Sequence, residues 1–277
     1  MWHPAFCVVL LLVFTQHGWG DEPFPPHQVV GNVYYVGSKE LATYLITTPE
    51  GHFLINSGFE ETVPLIRDAV NKLGLKLTDV KYLLASHAHS DHVAGHAAMK
   101  KLTGAKVLVM RGDAEVIRSG GVGQYLYADS RWPACEVDQV LDDGDKVTLG
   151  GTTLVARRTP GHTRGCTTWT WQAKEGHKKY DVVVIGSPNA NPGYKLVGNK
   201  EYPEIADDFA KTFKLLKSFP CDVFLGAHGE YYGMAAKYER IKDKEDPFVD
   251  SKGYKEYVEL KQKEFETKLA AQKGKDR

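Results

Sequence analysis

Charge of one sign is the first thing this sequence lacks. Lys+Arg and Asp+Glu both number 35, so the formal net charge is zero, and no run of like charge precedes the C-terminal tail. A nucleic-acid partner leaves a basic footprint; none is present, which points to a small-molecule partner. Long apolar runs are scarce: the strongest, Ala5 to Phe14, is too short to span a bilayer as a helix. Cysteine is rare, with Cys7, Cys135, Cys166 and Cys221 the full set. Serine-nucleophile signatures are missing. No Ser has Lys three residues on and no Gly-x-Ser-x-Gly occurs, so neither of these nucleophile arrangements is available. Short-period repeats and low-complexity linkers are absent as well. An apolar fraction of 42% and a charged fraction of 25% nonetheless describe an ordinary globular chain, long enough to bury a large core.

What is present begins with a leader. The apolar run passes into polar Thr15-Gln16-His17 and then Gly18-Trp19-Gly20, whose small-x-small spacing fits a signal-peptidase site. Residues 1–20 are therefore read as a signal peptide cleaved after Gly20. Residues 21–277 are read as one domain, secreted to the periplasm and free of the membrane once cleaved. Cys7 leaves with the leader. The other three cysteines are an odd number, so at least one stays a thiol unless chains pair. Cys166, in the strand-like Gly165-Cys166-Thr167-Thr168-Trp169 run, is expected to be a quiet core thiol.

Clusters of β-branched and aromatic residues predict strands over 29–37, 41–47, 51–56, 80–85 and 106–110, and again over 152–157, 166–171, 181–185 and 222–225. Helical periodicity covers 61–73, 92–102, 205–218 and 254–272. The Gly-rich segment 118–127 reads as a mobile loop. Strands alternating with helices in two similar halves suggest an α/β protein, an αβ/βα sandwich of two facing β-sheets with helices outside. Periodicity alone does not fix that architecture; the next motif is what names it.

Directly after the apolar strand 80–85 comes His87-x-His89-x-Asp91-His92. A loop leaving a strand can aim alternate side chains into one cavity, and imidazole and carboxylate are the usual oxygen and nitrogen ligands of zinc. Two more histidines, His162 in Thr159-Pro160-Gly161-His162-Thr163 and His228 in Gly226-Ala227-His228-Gly229, sit in Gly-bearing turns after predicted strands. Five His and one Asp suffice for two Zn2+ ions with positions left open for water. His52, His96 and His177 are read as structural or solvated, with His96 a neighbour of the site or a surface residue rather than a ligand.

The His-x-His-x-Asp-His run, the Thr-Pro-Gly-His-Thr turn and the late His resemble the metallo-β-lactamase superfamily, over about residues 24–250. Within it, the stretches 161–170 and 191–196 are most similar to subclass B3 enzymes. The strand 182–185 is followed by Gly186-Ser187, where other members place a metal-bridging Asp and other β-lactamase subclasses a Cys. The resemblance implies that His87, His89 and His162 hold one zinc and Asp91, His92 and His228 the second. It implies hydrolysis of the β-lactam amide bond by a metal-bound hydroxide, and with it antibiotic resistance. Asp91 would orient the nucleophile, Ser187 and Asn191 would meet the substrate carboxylate, and Tyr194 would donate to the developing oxyanion. The alternative is another ester, lactone or thioester as substrate. A monomer is expected. Some relatives tie the position of Cys221 to a C-terminal Cys that this chain lacks, leaving Cys135 as the remaining candidate partner.

Overall fold

The structure, a computed structural model, describes residues 22–243 and 246–275; the expected signal peptide lies outside them. The first half runs β1 (His27–Val30), β2 (Val33–Tyr35), β3 (Tyr44–Thr48), β4 (Gly51–Ile55), α1 (Val63–Lys72), β5 (Val80–Leu84), α2 (Ser90–Val93), α3 (His96–Thr103), β6 (Lys106–Met110), α4 (Ala114–Arg118) and β7 (Gln139–Leu141). Its seven strands form one sheet in chain order, antiparallel from β1 to β4 and parallel from β4 to β7. The second half runs β8 (Lys146–Leu149), β9 (Thr152–Arg158), β10 (Thr167–Glu175), β11 (Lys178–Ile185), α5 (Ile205–Leu216), β12 (Val223–Gly226), α6 (Met234–Arg240) and α7 (Ser251–Lys275). Its sheet is antiparallel from β8 to β11, with β12 parallel to β11.

The two sheets face each other across a shared core and carry helices on their outer faces, the sandwich that the sequence suggested. Val182, Val183, Val184 and Ile185 of β11 are all buried because one face of this central strand packs on the facing sheet and the other lies under helices. Helix α5 turns Ile205, Phe209, Phe213 and Leu216 inward at helical spacing, each fully buried apolar side chain contributing about 1.5–3 kcal/mol. Helices α1, α3 and α4 cover a second apolar cluster on the outer face of the larger sheet.

Three buried contacts join the sheets where the site will form. Trp169 of β10, fully buried, donates its indole N–H to the Ala85 carbonyl at 3.0 Å, and the Thr167 amide donates to the Ser86 carbonyl at 2.7 Å. Together they seat the segment that leads into His87. Tyr44 of β3 donates its hydroxyl to the Gly226 carbonyl at 2.7 Å, seating the segment that leads into His228.

The structure divides three stretches that the sequence read as continuous. Residues 29–37 fold back as the β1–β2 hairpin, because Gly31 takes a positive φ of 51° and Val30 pairs with Val33. The helix expected at 92–102 is interrupted at Gly95, whose amide donates to the Gly58 carbonyl; a Cβ there would stand 2.7 Å from the Ser57 carbonyl oxygen. The segment 118–127 begins inside α4, and its Gly-rich remainder is pinned by the buried Gln124 amide, which donates to the carbonyls of Gly121, Tyr127 and Ser130. Cys135, Cys166 and Cys221 are all free thiols, so the candidate Cys135–Cys221 pairing is not formed.

Candidate metal centre

Each ligand-bearing segment leaves the C-terminal end of a strand. His87 and His89 follow β5, His162 follows β9 and His228 follows β12. Helix α2 starts just after His89 and carries Asp91 and His92 on its single turn. Five of the six side chains line one cleft of about 480 Å³, and the fully buried His92 lies just behind its wall, against His87 and His228.

His87, His89 and His162 form a triangle of rings, with centroids 4.5–4.8 Å apart. All three are buried, and one nitrogen from each lies within 4.8 Å of the others. The His87 Nε2 is buried with no hydrogen-bond partner, an arrangement that costs about 1–3 kcal/mol unless something is bound there. His162 Nδ1 lies 2.7 Å from the Asn189 carbonyl oxygen and must donate to it, which leaves Nε2 with its lone pair facing the cleft.

Asp91, His92 and His228 form the second group. The His92 and His228 Nε2 atoms are 3.1 Å apart, and Asp91 Oδ2 lies 3.2 Å from the first and 3.5 Å from the second. Ligand atoms held about 2.0–2.1 Å from a tetrahedral zinc stand about 3.3 Å from one another. The observed triangle has that size, so the residues present fit the metal.

The charge state fits as well. Burial, reinforced by neighbouring imidazoles, holds His87 and His89 well below the ordinary histidine value. Burial also brings His162 and His228 to about 4. Neutral imidazole is the ligating form. Burial pushes Asp91 up, but His92, His228 and His89 outweigh it and keep the carboxyl well below the usual range.

The remaining expected site residues are placed unevenly. Asn191 lines the cleft and donates its side-chain amide to the Tyr127 hydroxyl at 2.9 Å. Ser187 lies one layer beneath the cleft wall, 1% exposed, its hydroxyl 3.2 Å from that of Tyr231. Tyr194 departs from the expectation. It is 2% exposed, does not line the cleft, and donates its hydroxyl to the His162 carbonyl at 2.6 Å. Packed behind a ligand, that hydroxyl is committed to the backbone and is not free to meet an oxyanion. His96 is a neighbour of the site but not a surface residue: it is fully buried, with Nδ1 2.7 Å from the Ser57 hydroxyl.

Sequence reasoning missed Asn189 and Tyr231, while Tyr127 fell within the Gly-rich segment 118–127 that it read as a loop. Tyr127 stands edge-on to His89 with centroids 4.9 Å apart. Tyr231 packs against His228, and its hydroxyl accepts from the Asn189 amide at 2.8 Å. Tyr231 lies three residues after the candidate ligand His228 and Asn189 two after Ser187, and that adjacency was the available signal. The wall bearing Asn189, Asn191 and Tyr194 is in turn held from outside by α7. Lys268 donates to the Ala190 carbonyl at 2.9 Å and to that of Asn191, while Gln272 donates to the Tyr194 carbonyl at 2.8 Å and accepts from the Leu196 amide at 2.7 Å.

Comparison with known proteins agrees with this geometry. Residues 42–175 match the family model described as the metallo-beta-lactamase superfamily. The native FEZ-1 metallo-beta-lactamase from Legionella gormanii is 49% identical, with a TM-score of 0.90 over 91% of this chain and 98% of that one. BJP-1, a subclass B3 enzyme of Bradyrhizobium japonicum, is 37% identical, with a TM-score of 0.87 over 93% and 98%. LRA-12, a class B3 di-zinc enzyme from an Alaskan soil metagenome, is 34% identical, with a TM-score of 0.85 over 89% and 94%. Among curated sequences, a hydroxyacylglutathione hydrolase of Rhodopseudomonas palustris is 32% identical over 120 residues, 43% of this chain and 39% of that protein. The chain spans well under half the length of such curated relatives. The chain belongs to the metallo-β-lactamase superfamily, and its buried histidine site is that of a metal-dependent hydrolase.

Proposed function

We propose that the chain hydrolyses the amide bond of β-lactam antibiotics, using two zinc ions held by His87, His89 and His162 and by Asp91, His92 and His228. The observation that carries this reading is the pair of three-ligand groups completed without a carboxylate or thiolate at Ser187. The likeness to subclass B3 enzymes along almost their whole length supports it.

Zinc bound there would supply Lewis acidity and a water acidified to near neutral pKa, in place of a side-chain nucleophile. The ionised Asp91, partly open to the cleft, accepts and orients a proton of the attacking water. His162 is held in its ligating tautomer by the Asn189 carbonyl. Among the described residues no Lys or Arg lines the cleft, so the side chains that would meet a substrate carboxylate, beside the metal's own charge, are neutral donors. Asn191 is placed for that role. Ser187 acts through Tyr231 and Asn189 rather than by direct contact, and Tyr194 positions His162. The cleft volume lies within the range of small-molecule sites. We further propose a single domain exported to the periplasm behind a cleaved leader, acting as a monomer and conferring resistance. No helix among the described residues is long and apolar enough to cross a membrane.

The test is a hydrolysis panel of a penicillin, a cephalosporin, a carbapenem, a lactone and a glutathione thioester, with and without chelator. Chelator-sensitive turnover of the β-lactams supports the proposal. Turnover of the thioester or lactone alone would replace it with the second substrate class.

A further inference from the structure

Asp113 is fully buried on the strand-to-helix turn after β6. It occupies the N-cap of α4, where an Asp usually accepts from its own helix, yet it makes no such bond. Its carboxylate reaches instead into the metal-binding loops. One oxygen accepts the Ala88 amide at 2.8 Å and the Thr163 hydroxyl at 2.7 Å; the other accepts the Gly165 amide at 2.8 Å. Ala88 lies between the ligands His87 and His89, and Thr163 follows the ligand His162. One side chain thus ties together two loops from opposite sheets that carry the three-histidine group.

The turn that carries Asp113 and the loop after His162 lie backbone to backbone. A Cβ on Gly165 would stand 2.5 Å from the Asp113 nitrogen and 2.7 Å from its Cβ. One on Gly112, whose φ is +104°, would stand 2.8 Å from the Arg164 carbonyl carbon. With no side chain between that turn and that loop, the hydrogen bonds to Asp113 act directly on the loop backbone, beside the ties that Trp169 and Thr167 make to the segment before His87. Charge-assisted bonds to a buried carboxylate are the strong kind. No comparable tie reaches Asp91, His92 or His228 from this residue.

We propose that Asp113 is a positioning residue that sets the spacing of His87 and His89 against His162, and so governs the metal affinity of that group and not of the other. The inference rests on the metal-binding reading and is independent of the substrate. Partners of this kind change metal affinity by about 10–100-fold.

The test is zinc titration of metal-free protein against a chromophoric competing chelator, in two backgrounds. His228→Ala leaves the three-histidine group intact, and His162→Ala leaves the other. Asp113→Ala should weaken binding by about 10–100-fold in the first background and by less than about threefold in the second. Asp113→Asn, which keeps one acceptor oxygen, should fall between. A purely structural role would lower thermal stability in both backgrounds without separating the affinities. Equal zinc affinity with and without Asp113→Ala in the His228→Ala background overturns the proposal. If Asp113→Ala does not fold, Asp113→Asn and Thr163→Val must show the same one-sided loss, and their failure to do so overturns it equally. A wild-type protein that binds no zinc would sink the metal reading itself, a result distinct from either.

Discussion

Replacing Tyr194 by Phe removes one oxygen atom and separates two accounts of this residue. In the structure its hydroxyl donates to the His162 carbonyl at 2.6 Å, in a position 2% exposed. Phe preserves the ring, which lies stacked on His162 with centroids 5.8 Å apart. The change therefore leaves a buried carbonyl without its donor and opens almost no cavity. An unsatisfied buried acceptor costs about 1–3 kcal/mol. In a chain of this size each kcal/mol moves the melting temperature by about 2–4 °C, so Tm should fall by about 2–12 °C. The hydroxyl faces away from the cleft, so kcat on a cephalosporin should fall by less than about fivefold, far short of the 10²–10³ typical of a lost oxyanion donor. Thermal unfolding and steady-state kinetics of the zinc-loaded variant measure both quantities. An unchanged Tm together with a kcat lowered at least a hundredfold would refute the reasoning, because the hydroxyl would then be meeting the substrate.

A strong chelator should abolish hydrolysis and added zinc should restore it, while mass spectrometry during turnover should detect no acyl adduct on any Ser; full activity without metal would contradict this. Metal analysis should show that His162→Ala loses zinc from the three-histidine group, whereas His96→Ala keeps wild-type metal content; the reverse pattern would mean that the ligand set is misassigned. The metal-free protein should lose stability as pH falls from 6.5 towards 4. His162 and His228 are held near 4 when folded, against an ordinary 6.5, so over that interval the unfolded chain binds more protons. The gap corresponds to about 3 kcal/mol for each group, and a urea midpoint that stays flat between pH 6.5 and 4 would show that these imidazoles are not held neutral by burial.

The candidate ligands were legible in the sequence because their chemistry is local. Four of them lie within six residues, and the other two announce themselves by Gly-flanked turns after apolar strands. The long strands and α5 were legible for the same reason, since a continuous buried run such as 182–185 or a helical spacing such as Ile205, Phe209, Phe213 needs no knowledge of distant partners. Short edges were not. Strands β7 and β8 carry three and four residues with few apolar positions, and only their neighbours in the sheet make them strands. Tyr194 was misjudged because its position in a loop beside Asn191 says nothing about which way its hydroxyl turns; that is decided by His162, 32 residues earlier. Asp113 escaped notice for a similar reason. Nothing in its immediate sequence points to the two loops it joins, which come from 25 and 52 residues away.

Helix α7 shapes the cleft without supplying any of its chemistry. Every proposed metal ligand lies at or before His228, yet the wall that carries Asn189 and Asn191 is buttressed by Lys268 and Gln272, well beyond the last of them. The entrance and the hydrolytic centre are thus built by separate stretches of chain. A product clipped within the last turns of α7 would keep its metal and its core but carry a slack rim. Selectivity, rather than chemistry, is what such an accident would alter, and any label joined to this end of the chain pulls on the same lever.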